Sequence, residues 1–370
     1  MPQLKIYHLT FPRGLHIGRG GVESVEDSLE YVPSDTLFAA LLDTWRHMGK
    51  DLDSLVSNKG KPALLLTSAF PFAGKVRFYP KPIDLRAFLS PERIKNLGAG
   101  KTIKKIRYLS ERLIERARCG EFLDDKMKKD QDGDWSCKIS LQGGALWLTA
   151  EEVTHLPDEI RYYNEESNGR KKRERPPEIL EQLKIYASQT VPRVVVDRIN
   201  SAPNLFQSER VIFSQGCGLW FGVVQNSISQ PDFDNLLITL GDSGLGGERT
   251  AGYGHFKFSL QGALDLPDPQ ELAYLINRWH PKDGAEVSLL LKEGSAYKLE
   301  AVEGWLRTPD SAAAQRRKRL WMVAEGSLID GSPLGDAANV KPEYDASSGE
   351  TIPHPIYRPG FAVALDWKRR

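Results

Sequence analysis

Residues 4–11, LKIYHLTF, alternate apolar and polar positions, with Leu4, Ile6 and His8 on one face, the period of a strand. A glycine-containing loop over 12–21 follows and carries Arg13, His16 and Arg19. Over 31–49 the period lengthens to that of a helix, with Leu37, Phe38, Leu41, Leu42 and Trp45 on one face. Ser34 or Asp35 is placed to cap its start, and Gly49 its end. Strand patterns return at Ala63 to Phe70 and Lys75 to Tyr79. Residues 84–140 are charged and helical in period, which predicts an insertion, and Leu141 to Ala150 return to strand. Two β-rich runs inside 189–214 flank a Pro/Asn loop and predict a protruding hairpin over about 185–214. Leu219 to Gln225 read as a strand, Asp232 to Leu240 as a short helix, and Tyr253 to Leu260 as a closing strand.

That order is βαββαβ, the ferredoxin-like or RRM-like arrangement. LPDPQ at 266–270 reads as a linker. The remainder has strand patterns near 271–279, 297–306, 320–328 and 356–365 and a helix near 285–291. The expected class is therefore α+β, with two ferredoxin-like/RRM-like domains, 1–265 and 266–370.

One stretch departs from ordinary periodicity. Residues 241–256, GDSGLGGERTAGYGHF, set six glycines around Glu248 and Arg249. Glycine frees the backbone for positive φ and close approach, and bare amides beside an arginine suit an anion. No Gly-Lys-Ser/Thr follows, and a strand pattern follows where the dinucleotide fingerprint needs a helix. On its own the loop is equally a tight turn before a strand or a phosphate cradle.

Composition is that of a globular chain: 370 residues, 40% hydrophobic, 27% charged. The formal net charge is +1, so any nucleic-acid surface must be local rather than global. Three cysteines without metal spacing fit a reduced, cytoplasmic setting, and the N-terminal residues suggest neither signal peptide nor membrane span. No cofactor and no metal site is expected. Basic tracts lie near Lys101 to Arg118, where a solvated helix face is favoured, and at 164–177, NEESNGRKKRERPP, where loop and RNA contact stand even. The hairpin carries Arg193, Arg198 and Arg210 with Leu205 and Phe206 at its tip. That pairing suits insertion between bases, the alternative being that Phe206 packs on the core.

The segments YVPSDTLFAALLDTW, GDSGLGGERTAGYGHF and HPIYRPGFAVAL (354–365) resemble subunit 4 of the RAMP superfamily in the type III-A CRISPR effector, the Csm complex. The hairpin VVVDRINSAPNLFQSERVIF is similar to the thumb of such proteins. The resemblance runs over nearly the whole chain in the expected order.

It implies a binding subunit, not an enzyme, that holds the 5′ repeat-derived tag of the crRNA. Its implied partners are the large polymerase/cyclase-like subunit, a RAMP backbone subunit, and target RNA near the thumb, with no membrane. The RNA-facing residues expected on this basis are Arg13, His16, Gly18, Arg19, Ser34, Thr36, Arg193, Arg198 and Phe206, with Gly246, Gly247, Arg249, Thr250, Gly252, Tyr253 and His255 from the glycine loop. Asp35 is expected to cap the helix or orient an arginine. His354 and Arg358 are RNA candidates too, or else order the last strand or face the large subunit. A metal-independent crRNA-processing endoribonuclease of the same superfamily is the rival, since His8, His16 and His47 offer acid–base chemistry. The equivalent type III-B Cmr subunit is another alternative. Asp197, beside Arg198, reads as an ion pair rather than a cleavage residue.

Overall fold

A computed structural model of the chain describes residues 2–18, 27–58, 61–97, 101–129, 135–163, 173–196, 203–306, 315–342 and 355–370. Its frame is a nine-stranded sheet. In chain order the elements that matter are β1 (Gln3–Thr10), α1 (Ser34–His47), β2 (Leu64–Leu66), β3 (Phe70–Ala73) and β4 (Val76–Pro80). β5 (Tyr108–Ser110), α2 (Glu111–Arg118), β6 (Ser140–Leu141) and β7 (Leu146–Trp147) follow. The hairpin is β8 (Tyr186–Val196) and β9 (Pro203–Phe213), and then come β10 (Cys217–Gln225), α3 (Gln230–Ser243) and β11 (Lys257–Asp265). The strands lie in the order β6-β7-β5-β4-β3-β10-β1-β11, and β2 also pairs with β10.

The part around β1 is the predicted βαββαβ unit. β10 and β11 both run antiparallel to β1, and β2 and β3 run antiparallel to β10. Both faces of this sheet are covered. Tyr7 and Leu9 enter one core with Leu37, Phe38 and Leu41 of α1 and Phe233, Leu236 and Leu240 of α3. Leu4 and Ile6 enter the other, with Phe78, Leu109, Leu113 and Trp220. A strand covered on both sides loses its polar alternation, which is why β10 reads CGLWFGVVQ and is buried along all but its last residue.

The second face is covered by 84–140, which corrects the expectation of a helical insertion. Its helical period comes from short pieces, Lys101–Lys105 and α2, broken where Tyr108–Ser110 joins the sheet as β5. Leu89, Ile103, Ile106 and Leu123 are buried beneath Leu4 and Trp220 rather than set apart. The strand expected over 141–150 is only the short β6 and β7, separated by a turn at Gln142–Gly144.

The C-terminal part holds β12 (Leu272–Leu275), α4 (Gly284–Leu289), β13 (Leu299–Val302), β14 (Leu320–Val323), β15 (Leu328–Asp330) and β16 (Ala364–Trp367). Its sheet is three-stranded, β15-β12-β16, and β13–β14 form a separate ribbon. Among the described residues β13 and β14 form a continuous ladder only with each other, and a bridge from Val323 to Trp279 ties the ribbon to the segment after β12. One face of its sheet has a small core of its own, Ala273, Leu275, Trp279, Val323, Ile329 and Ala364, while the other joins the main core. Leu272, Tyr274, Ile276, Leu328 and Trp367 share a cluster with Phe78 and Leu113, and the Tyr274 hydroxyl donates to the Pro80 carbonyl.

His8 shows what double-sided burial does to a titratable group. Its ring stacks on Phe72 with centroids 3.8 Å apart, and its Nε2 is buried without a partner. Burial, helped by the Arg77 charge, pulls its pKa from 6.5 down to about 4. Between those values the unfolded chain binds the proton and the folded chain does not. The contribution of His8 to stability is therefore complete above pH 6.5 and falls away toward pH 4. Urea midpoints at pH 7.5 and pH 5 should differ more for the wild type than for His8→Phe. Equal pH dependence in the two would show that His8 is not the titrating group.

Candidate nucleic-acid interface

The glycine loop is built for contact with the loop after β1. Gly246 has φ +88°, and a Cβ there would lie 2.2 Å from the His16 carbonyl oxygen. A Cβ on Gly247 would lie 2.8 Å from the His16 ring. The Gly247 amide donates to the His16 carbonyl and the Gly254 amide to that of Gly14, both at 2.9 Å. The Gly252 amide donates to the Arg249 carbonyl. The amides of Gly247 and Gly252, expected to cradle phosphate, are thus already spent on the fold.

The same loop fastens the hairpin. Tyr253 is 4% exposed, and the guanidiniums of Arg193 and Arg210 stand over its ring at 5.1 Å each. Tyr253 is therefore not an open platform for a base, and β11 starts only at Lys257, after both Tyr253 and His255. Leu15 and Val211 exchange backbone hydrogen bonds (2.9 and 2.8 Å), and His16 Nδ1 donates to the Glu209 carbonyl at 2.6 Å. Arg13 and Thr250 are exposed beside this junction, and His255 is half-buried. Phe206 lies opposite Arg193 in the hairpin ladder. Arg19, Asp197, Arg198 and His354 fall outside the described residues.

The start of α1 corrects two further expectations. Pro33, not Ser34 or Asp35, holds the cap position, with no side-chain hydrogen bond. Ser34 is buried: its amide donates to the Ser68 hydroxyl at 2.8 Å, and its hydroxyl accepts from the Arg278 amide at 3.0 Å. Asp35, 1% exposed, takes the second of its two expected roles and accepts from Arg278 Nη1 (3.2 Å) and Arg358 Nη1 (3.1 Å). Ser34 and Arg358 are thereby internal and not open to RNA. Arg278 also donates to Glu300 Oε2 at 2.7 Å and faces Glu325 at 3.7 Å. Burial pushes the Glu325 carboxyl above its ordinary range, with Arg278 and the Ser68 hydroxyl opposing the rise. Burial also lowers Arg358, which Asp35 partly offsets.

These elements enclose an open cavity of about 690 Å³. One wall is His16, Gly18, Thr36, Gly246, Gly247 and Arg249, and the other is Ala301 to Gly304, Arg317 and 355–358. Its lining holds five arginines (Arg46, Arg249, Arg278, Arg317, Arg358) against three carboxylates (Asp35, Asp43, Glu303), an excess of two positive charges. Asp43 is paired with Arg46 at 3.2 Å and Glu303 with Arg319 at 3.2 Å. Arg249 is half-buried and makes no side-chain hydrogen bond or ion pair among the described residues. Such a surface binds anions. Among the described residues no group of three or more His, Cys, Asp or Glu is disposed to hold a metal, and no helix is long and apolar enough to cross a membrane.

Sequence reasoning missed Arg46, Arg278 and Arg317. Arg317 had a legible signal, the basic run RRKR at 316–319 before Leu320 and Trp321. Arg278 had none, because its partner Asp35 is 243 positions away.

Residues 269–367 match the family described as the CRISPR Csm4 C-terminal domain. The CRISPR system Cms protein Csm4 of Thermococcus onnurineus (strain NA1) is 29% identical over 275 residues, 73% of this chain and 71% of the relative. The chain is thus similar to Csm4 proteins over most of its length, and residues 269–367 match their C-terminal domain. The Csm4 protein of Streptococcus thermophilus is 23% identical over 349 residues, 91% of this chain and 92% of that one. A crystal structure of a Csm3-Csm4 subcomplex in the type III-A CRISPR-Cas interference complex shares the fold. It matches with a TM-score of 0.60 and 15% identity, over 99% of this chain and 100% of that chain. The α+β class expected from the sequence is that of these Csm4 structures.

The buried cluster gives a direct test of how this Csm4-like chain holds its cavity. Asp35→Ala leaves the buried Arg358 without its carboxylate and takes one of three from Arg278, and should cost about 3–5 kcal/mol in chemical denaturation. A loss below about 1 kcal/mol would mean that the cluster does not hold the two walls together.

Proposed function

We propose that this chain is a non-catalytic crRNA-binding subunit of a type III-A CRISPR ribonucleoprotein, acting in the cytoplasm. The cavity beside the glycine loop holds the 5′ repeat-derived tag of the guide. One observation carries this reading: Arg249, with no protein partner among the described residues, stands on a cavity whose lining has two positive charges in excess, in a chain whose net charge is +1. Phosphate contacts need positive charge of this local kind.

The other parts take roles consistent with it. The hairpin, two strands of 11 residues each, is rooted at Tyr253 and Leu15 and presents exposed Val194 farther along, where it meets target RNA. A backbone subunit is a partner, in keeping with the solved Csm3-Csm4 subcomplex of the same fold. The large polymerase/cyclase-like subunit is the other partner, in keeping with the similarity to Csm4 proteins. Cleavage chemistry belongs to those neighbours.

Binding of a tag-length RNA at several salt concentrations checks the assignment. Arg249→Ala should weaken binding and reduce the slope of log K against log salt by about 0.7, one phosphate on a single strand. Arg86→Ala, whose side chain is 77% exposed and paired with Asp84 outside the cavity, should leave both unchanged. Equal slopes for wild type and Arg249→Ala would remove the cavity from the RNA surface. Discrete metal-independent cleavage of repeat RNA, lost in His16→Ala, would replace the binding role with the endoribonuclease reading.

A further inference from the structure

The ribbon β13–β14 borders the cavity and carries a side chain that the fold does not use. Trp321 is 55% exposed and makes no ring contact among the described residues. It lies opposite Ala301 in the antiparallel ladder, and Ala301 lines the cavity. Residues directly opposite share a face, with Cβ atoms about 5 Å apart, so the indole neighbours the cavity lining at Ala301 without being part of it. Leu299, 45% exposed, is on the same face two residues before Ala301. From beneath the ribbon is fixed, since Met322 is fully buried and Val323 exchanges backbone hydrogen bonds with Trp279.

Two guanidiniums lie on the chain just before the indole. Arg317 lines the cavity and donates to the Glu303 carbonyl at 3.3 Å. Arg319, its side chain 60% exposed, reaches Glu303 Oε2 at 3.2 Å. An exposed indole that follows two guanidiniums along the chain matches a nucleotide, whose base stacks while its phosphates meet the cations. An apolar protein partner would have to desolvate the same charges.

We infer that Trp321 is a stacking shelf for one base of single-stranded RNA as the strand leaves the cavity past Arg317 and Arg319. This rests on the RNA-binding role proposed above and extends it to a subsite on the C-terminal part. Stacking is indifferent to base identity, so the shelf sets the path of the strand rather than its sequence.

The test uses the full chain and two single-stranded RNAs, one of tag length and one extended by three nucleotides at either end. Trp321→Ala should lower affinity for the extended RNA about ten-fold, the size of one lost stack. It should leave the salt slope unchanged, and Trp321→Phe should recover most of the loss. A 4-thiouridine in the extension should cross-link to the peptide holding Trp321. Thermal midpoints of both variants should match the wild type, since the side chain is more than half exposed. If Trp321→Ala binds as wild type and no cross-link forms, while Arg249→Ala still weakens binding, the shelf is wrong and the cavity assignment stands. If RNA affinity is unchanged but the variant no longer assembles with another Csm subunit, the surface docks protein and the inference is overturned. Failure of the wild type to bind either RNA removes both.

Discussion

The arrangement of the cavity depends on one buried ion cluster. Asp35 at the start of α1 holds two guanidiniums, Arg278 just after β12 and Arg358 near the C-terminus. Arg278 in turn reaches Glu300 on β13 and Glu325 beyond β14. The Arg278 side chain thereby ties the first helix to β13 and to the turn that follows β14. Taking five charged groups out of water is costly, and the attraction among them repays that cost only when geometry and hydrogen bonds are good. Here Ser68 and Tyr31 supply further bonds to the guanidinium of Arg278 and the Glu325 carboxylate, and Ser34 holds the Arg278 amide, while Nε of Arg278 and of Arg358 has no hydrogen bond among the described residues. What the cluster supplies above all is position: it sets how far the ribbon stands from the glycine loop.

A second constraint works by close approach rather than by charge. Three distant segments, the loop after β1, the hairpin root and the glycine loop, meet at Leu15, Val211, His16 and Tyr253. Glycine at 246 and 247 lets backbone touch backbone and ring there, and the two arginines over Tyr253 pin the hairpin to the result. The side chains left over at that junction, Arg13, Thr250 and Arg249, are those that face outward or into the cavity.

Much of the fold was legible because burial leaves a periodic trace. The strand at 4–11, the helix at 31–49, the hairpin and the helix after Asp232 all stand close to where periodicity put them, with ends shifted by a few residues. The segment 84–140 misled because its charge is real and its helices exist, while its contribution to the sheet is only Tyr108–Ser110 and Ser140–Leu141, too short to register as a period. Ser34 and Asp35 carried a proper capping signature before an apolar helix face. Nothing local distinguishes an aspartate that caps its own helix from one claimed by an arginine 243 residues away. The glycine loop was legible as a place of close approach, but not in its partner. The partner proved to be the chain itself for the amides of Gly247 and Gly252.

The arginines of the cavity accordingly fall into two kinds that sequence cannot separate. Arg278 and Arg358 are buried and committed to carboxylates, so they build the floor and have little left to offer a ligand. Arg249 and Arg317 are half-buried, and the hydrogen bonds they make among the described residues amount to one long bond from Arg317 to a backbone carbonyl. Only the second kind can exchange water for phosphate without dismantling a wall. Losing an arginine of the first kind should disturb fold and binding together, and losing one of the second should disturb binding alone. A count of basic residues around the cavity overstates its capacity for RNA, whereas a count of uncommitted guanidiniums measures it. By that measure the surface proposed for RNA runs from the glycine loop across the cavity to the ribbon, along the line that joins Arg249 to Arg317.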